Sequence, residues 1–128
     1  MRLLALLLTC LITPAVAQPT LLDTYRAIAL KADPRFIDFS SVRGERLFHA
    51  QHGDLSCATC HTKNPKAIGQ HPKTGKAIEP LAPVAHAQRL TDPAKVEKWF
   101  KRNCNEVLQR PCTALEKGDF VLWLMSIK

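Results

Sequence analysis

Cys57-Ala58-Thr59-Cys60-His61 decides how this chain is read. Two cysteines three positions apart, followed at once by a histidine, spell C-x-x-C-H, the spacing at which a c-type haem is attached. The spacing has a chemical reason. Two thiols on one tight turn reach the two vinyl groups of one porphyrin and form thioethers, and the next residue then sits under the iron as its proximal ligand. Cys57 and Cys60 are therefore candidates for covalent attachment of one haem c, and His61 for the proximal metal ligand. Other uses of C-x-x-C fit less well. Half a zinc site needs a second pair at knuckle spacing, whereas Cys104 and Cys112 have seven residues between them. A redox dithiol goes with a βαβ pattern, and none is visible.

Outward from the motif, residues 57–90 read as a long irregular loop, with Pro65, Pro72, Pro80, Pro83, Gly69 and Gly75 interrupting any periodicity. A loop of that length is unusual in a small domain unless it wraps something. The rest of the chain has helical period, and no β-branched strand pattern is present. Residues 20–32 carry Leu21, Leu22, Tyr25, Ile28 and Ala29 on one face and stop at Asp33-Pro34. Ser40 or Ser41 caps a second helix over about residues 42–50, with Leu47 and Phe48 apolar. Asp92-Pro93 is a helix start, an N-cap followed by proline at the first helical position. Val96, Trp99, Phe100, Val107 and Leu108 then recur at helical spacing, with Asn103 and Cys104 on or beside the stripe. Thr113-Ala114-Leu115-Glu116 is a capping box opening a last helix through Met125. The expectation is an all-α domain, too small and loop-rich to be stable on apolar content alone, with something besides the chain filling its centre.

The N-terminus is a separate segment. Arg2, an apolar run over residues 3–12, Pro14 and the small-x-small triplet Ala15-Val16-Ala17 form a secretory signal peptide, cleaved before Gln18. The run is too short to span a bilayer, and no later segment is apolar enough to do so. Cys10 lacks the small residue before it that a lipoprotein site needs. Residues 1–17 are thus a leader and 18–128 the mature domain, exported to the periplasm, where disulfides persist. Over all 128 residues, 18 Lys+Arg stand against 11 Asp+Glu, a formal charge of +7, which favours anionic partners. No nucleic-acid motif accompanies the charge.

Electron-carrying haem proteins commonly use methionine opposite the histidine. Met1 lies in the leader, and the only other, Met125, reads as core of the last helix. The remaining candidates for a sixth ligand are His49, His52, His71, His86, a lysine and Asn103. His49 and His52 lie close before the motif and belong to the proximal side or the surface. His71 and His86 lie in the wrapping loop and can reach the distal face.

Two further stretches narrow the choice. Residues 74–83 read T-G-K-x-I-x-P-L-A-P, and residues 96–105 read V-E-K-W-x-x-R-N-C-N. With C-x-x-C-H before them and Cys112 after, the chain resembles the SHP family of oxygen-binding cytochromes c. Gly44 and Phe48 before the motif and Trp123 in the last helix resemble class I cytochromes c more broadly. The resemblance implies the class I cytochrome c fold, with Gly44 and Phe48 packed on the last helix. It implies Asn103 as the distal iron ligand of the ferric state, and a Cys104–Cys112 disulfide. It implies a ligand that leaves on reduction, opening the ferrous iron to oxygen, nitric oxide or another small nitrogen oxide. Lys63, Lys66, Lys73, Lys76, Lys98, Lys101 and Arg102 would then flank the haem edge and steer an acidic redox-partner cytochrome. The competing expectation is a plain electron carrier with a permanent histidine, His71 or His86, as sixth ligand.

Overall fold

The computed structural model describes residues 17–128. The leader segment expected over residues 1–17 lies, apart from Ala17, outside them, as do Met1 and Cys10. Among the described residues five helices run in chain order: α1 (Leu21–Ala32), α2 (Ser41–His49), α3 (Cys57–His61), α4 (Pro93–Leu108) and α5 (Ala114–Ser126). Their starts follow the side chains that can cap them. Thr20 and Asp23 bond each other's backbone N–H at the head of α1, and Thr113 and Glu116 do the same for α5. Ser40 accepts from the N–H of Arg43 on α2, and Asp92 from that of Lys95 on α4, with Pro93 in the first turn.

The wrapping loop carries more structure than its prolines suggest. It begins with the single turn of α3 and contains a small antiparallel pair, β1 (Gly69–Gln70) and β2 (Ala77–Ile78), in register Gly69↔Ile78 and Gln70↔Ala77. Two-residue strands carry too little alternation to show as a strand pattern, which is why none was legible.

The core has two parts. Tyr25, Ala29, Phe39 and Val121 join α1 to α5. Phe48, Trp123 and Leu124 join α2 to α5, with the Phe48 and Trp123 rings 4.9 Å apart. The expected pairing of Gly44 and Phe48 with the last helix is what the fold uses. A Cβ on Gly44 would run into the backbone of Asp119 and lie 2.9 Å from Trp123 Cβ, so α2 and α5 cross at near-backbone contact. Asp119, only 3% exposed, pins the same crossing. It receives Arg43 Nε at 2.6 Å and the Ser40 N–H at 2.7 Å.

Two apolar positions differ from expectation. Ile28 is 51% exposed, because α1 buries a narrow stripe centred on Tyr25 and Ala29. Met125 is 59% exposed, projecting from the final turn of α5 rather than packing in the core. Among the described residues no helix is long and apolar enough to cross a membrane.

Candidate functional site

α4 does not pack closely along the α2–α5 pair. It meets the body at Phe100, edge-on to Tyr25 (6.2 Å) and Phe120 (5.7 Å), and at Glu97, which accepts from Tyr25 Oη at 2.6 Å and Lys117 Nζ at 2.7 Å. Between α4, α3, the wrapping loop and α5 lies a cavity of about 800 Å³. That is within the range of cofactor sites. Cys57, Cys60, His61, His71, His86, Asn103, Cys104 and Cys112 all line it. The structure thus brings Cys57, Cys60, His61 and Asn103 to one cavity, together with both loop histidines, but not His49 or His52. Met125 is not in its wall. His49 is exposed against Phe48, and His52 is exposed in the turn before the motif.

The attachment motif is helical. Cys57, Cys60 and His61 fall at i, i+3 and i+4, so the one turn of α3 presents all three on one side. Ser56 is buried at its head and gives its N–H to Thr59 Oγ1 at 2.9 Å. Thr62 ends the turn at φ 62°, a strained conformation for a β-branched residue, held by its hydroxyl bonding both the C=O and the N–H of Asn64. Gly69 lies directly over α3, where a Cβ would strike the Cys60 carbonyl and come within 2.9 Å of His61 Cα. Both features set the exit from the motif, and only the glycine left any trace in the sequence.

Both thiols are free, and burial pushes Cys57 up to about 11. Burial, with a smaller push from Arg89, lowers His61 to about 4, so its imidazole is neutral at neutral pH, the form that ligates metal. Among the described residues, His61 Nδ1 is the one buried side-chain polar atom without a hydrogen-bond partner. Two free thiols, a neutral imidazole and a largely apolar cavity fit a covalently held haem. Asn103, in the same cavity wall, is half-buried on α4, one turn after Trp99 and one before Glu106. The next residue, Cys104, is buried and disulfide-bonded to Cys112, with Cα atoms 5.7 Å apart.

His71 is held by its loop. Its Nδ1 accepts from the N–H groups of Lys73 and Thr74 at 3.3 Å each, and Nε2 lies 3.8 Å from Glu106 Oε1. Lys76, Lys95 and Arg102 line the cavity while remaining exposed, and Lys63, Lys66, Lys73, Lys98 and Lys101 are exposed nearby in sequence. Arg89, in the wall and half-buried, was not singled out by the sequence.

Comparison with known proteins bears on this arrangement. A family model described as a domain of unknown function (DUF1924) matches residues 34–124. Over 71 residues the chain is 54% identical to the cytochrome c-type protein SHP of Cereibacter sphaeroides, covering 56% of this chain and 54% of that protein. That match therefore spans about half the relative's length. Over 107 residues it is 38% identical to cytochrome c'' of Methylophilus methylotrophus, covering 80% of this chain and 74% of that one. Among solved structures it is similar to oxidised SHP, an oxygen-binding cytochrome c (TM-score 0.72, 43% identity, 81% of this chain and 91% of that one). It is also similar to oxidised cytochrome c'' (TM-score 0.75, 35% identity, 84% and 92%), whose solution structure bears on haem-ligand detachment.

Proposed function

The chain belongs to the SHP-type cytochromes c, with one covalently bound haem c, and from that premise we propose a redox protein whose distal ligand, Asn103, is released on reduction so that a small ligand such as oxygen or nitric oxide can enter. The observation that supports this most is the place of Asn103. It lies in the wall of the cavity that also holds Cys57, Cys60 and His61, while Met125 lies outside it. When bound, the haem would supply a one-electron couple and an iron able to take protein and exogenous ligands. Cys57 and Cys60 would hold it through thioethers, and His61 would ligate the iron. The Asn103 amide oxygen is a hard, weak donor. It suits ferric iron and is a poor ligand for the softer ferrous ion. The Cys104–Cys112 bridge fixes the backbone beside it.

The same premise supports the remaining parts of the reading. Residues 1–17 direct the chain to the periplasm, so the N-terminus of the purified protein is expected at Gln18. The exposed lysines around the loop and α4 suit an acidic redox partner, and electron transfer from it should slow as salt rises.

A second reading has its own support. His71 and His86 line the same cavity, and either could be a permanent sixth ligand of a plain electron carrier. Optical spectra of the oxidised and reduced protein, with and without carbon monoxide, separate the two. Low-spin ferric haem that becomes high-spin on reduction and shifts with carbon monoxide supports release. Asn103→Ala should then open the ferric haem as well. A ferrous spectrum that stays low-spin and ignores carbon monoxide supports the permanent histidine.

A further inference from the structure

His71 is tied into its turn by both backbone and ring. Its N–H donates to the Lys76 carbonyl at 2.9 Å, and its carbonyl accepts from the Gly75 N–H at 2.8 Å. Its ring Nδ1 accepts from the N–H groups of Lys73 and Thr74 at 3.3 Å each. The local sequence explains this convergence. Pro72 fixes the backbone just after His71, and Gly75 takes the left-handed φ of 68° that closes the turn. The two N–H groups between them are left facing the ring.

Incoming N–H donors require a lone pair at Nδ1, so the imidazole hydrogen is on Nε2. Among the described residues no hydrogen bond uses that donor. Glu106 Oε1 is 3.8 Å from Nε2, beyond hydrogen-bonding distance. His71 and Glu106 both line the large cavity, and Glu106 lies one turn after Asn103 on α4. The ring thus carries an unused N–H, fixed in direction, to the helix that bears the proposed ligand. The same arrangement makes His71 a poor ligand itself. Nδ1 is taken by the backbone, and Nε2 could meet a metal only by passing its hydrogen to Nδ1, against two N–H groups. His86 lines the same cavity, but among the described residues its ring enters no hydrogen bond that would set its direction.

We propose that His71 is the hydrogen-bond donor that selects which small ligand the cavity retains, favouring oxygen over carbon monoxide. The proposal rests on release of Asn103, which opens the position such a ligand takes. Oxygen draws electron density from a reduced metal and becomes a hydrogen-bond acceptor, whereas carbon monoxide draws far less. Donors beside the open position decide how such ligands are held. A bond to a partly charged acceptor is the stronger kind, and a donor already fixed by its turn forms it at little ordering cost.

The test is a pair of dissociation rates, for oxygen and for carbon monoxide, from the reduced holoprotein. Ligand replacement in a stopped-flow spectrometer measures both for the native chain, His71→Leu and His71→Gln. Loss of one hydrogen bond to a partly charged ligand should make His71→Leu release oxygen about tenfold faster. Its release of carbon monoxide should be little changed. His71→Gln keeps a side-chain N–H and should recover part of the difference. An unchanged oxygen rate in His71→Leu overturns the proposal and leaves retention to another group, such as the Asn103 amide. An equal acceleration of both ligands also overturns it, because that is altered access and not a lost bond. A native ferrous protein that binds neither gas removes the release of Asn103 and this proposal with it. Carbon monoxide binding without any effect of His71→Leu on oxygen removes the donor alone. Should His71→Leu not retain haem, ring-nitrogen NMR shifts of the native ferrous carbon monoxide complex decide. A hydrogen on Nε2 of His71 supports the donor, and a hydrogen on Nδ1 refutes it.

Discussion

Replacing Gly44 by alanine sets two effects of opposite sign against each other. Gly44 is inside α2, and glycine to alanine in a helix interior stabilises by about 1 kcal/mol on propensity alone. The new methyl, however, would strike the Asp119 carbonyl group and lie 2.9 Å from Trp123 Cβ. These are backbone and near-backbone atoms of another helix, so no flexible side chain can yield. Overpacking typically costs 1–3 kcal/mol, and the upper end, about 3 kcal/mol, applies here. The net expectation is a loss of about 2 kcal/mol, or roughly 8–10 °C in Tm for a domain of this size. Urea unfolding of the holoprotein, followed by far-UV circular dichroism, measures it. The haem spectrum gives a second readout, because displacing α5 displaces Phe120 and Leu124 in the cavity wall. A Gly44→Ala protein as stable as the native one, with an unchanged haem spectrum, would refute the close crossing of α2 and α5.

Two other perturbations test the charged supports of the fold. Asp119→Ala removes the carboxylate that holds Arg43 and the Ser40 N–H. Breaking a buried pair costs about 3–5 kcal/mol, and because Arg43 is half exposed the loss should be about 2–3 kcal/mol in the same unfolding assay. Glu116 is held below its ordinary carboxylate range, chiefly by its bonds to Arg110 and also by the Thr113 N–H. A depressed pKa contributes stability above the ordinary value of 4.5 that is lost as pH falls through the folded value. Stability should therefore drop below about pH 4.5, and Glu116→Gln should remove about 0.5 kcal/mol of that drop, since Arg110 is half exposed. Because glutamine can still cap the helix, an acid-unfolding profile unchanged by Glu116→Gln would show that the Glu116 charge and its pairing with Arg110 contribute nothing.

The parts of this molecule that could be read in advance are those written in local chemistry. Asp92-Pro93 and the Thr113–Glu116 box announce helix starts because a cap needs only neighbours three residues away. C-x-x-C-H announces attachment for the same reason, as one turn brings its three groups together. What stayed hidden depends on residues far apart in the chain. The Asp119–Arg43 pair joins positions separated by 76 residues. Gly69 looked like a loop breaker, and its function is to let β1 lie on the backbone of α3. Arg89 carries no sequence signal: it is half-buried and bonded to the Pro80 and Glu79 carbonyls, which no local pattern encodes. Met125 has the pattern of a core residue, apolar in an apolar helix, yet is exposed because the last turn of α5 extends past the core.

The Cys104–Cys112 bridge offers a way to separate holding the fold from holding the ligand. It closes a sequence separation of 8, for which loop entropy gives about 2.5 kcal/mol. Any bridge of that span would contribute as much, so stability alone says nothing about Asn103. Position does. Cys104 is buried next to Asn103 and restrains the last turn of α4, while Phe100 restrains the helix one turn earlier through Tyr25 and Phe120. With the backbone held on both sides, the proposed release of Asn103 would need a side-chain rotation and not a movement of α4. A weak amide donor has little binding energy to spare for ordering a loose segment. The double variant Cys104→Ala/Cys112→Ala should therefore lose about 2.5 kcal/mol in urea and also show a high-spin fraction in its ferric spectrum. The same loss of stability with a native ferric spectrum would mean that the bridge only staples the chain and that the helix alone positions Asn103.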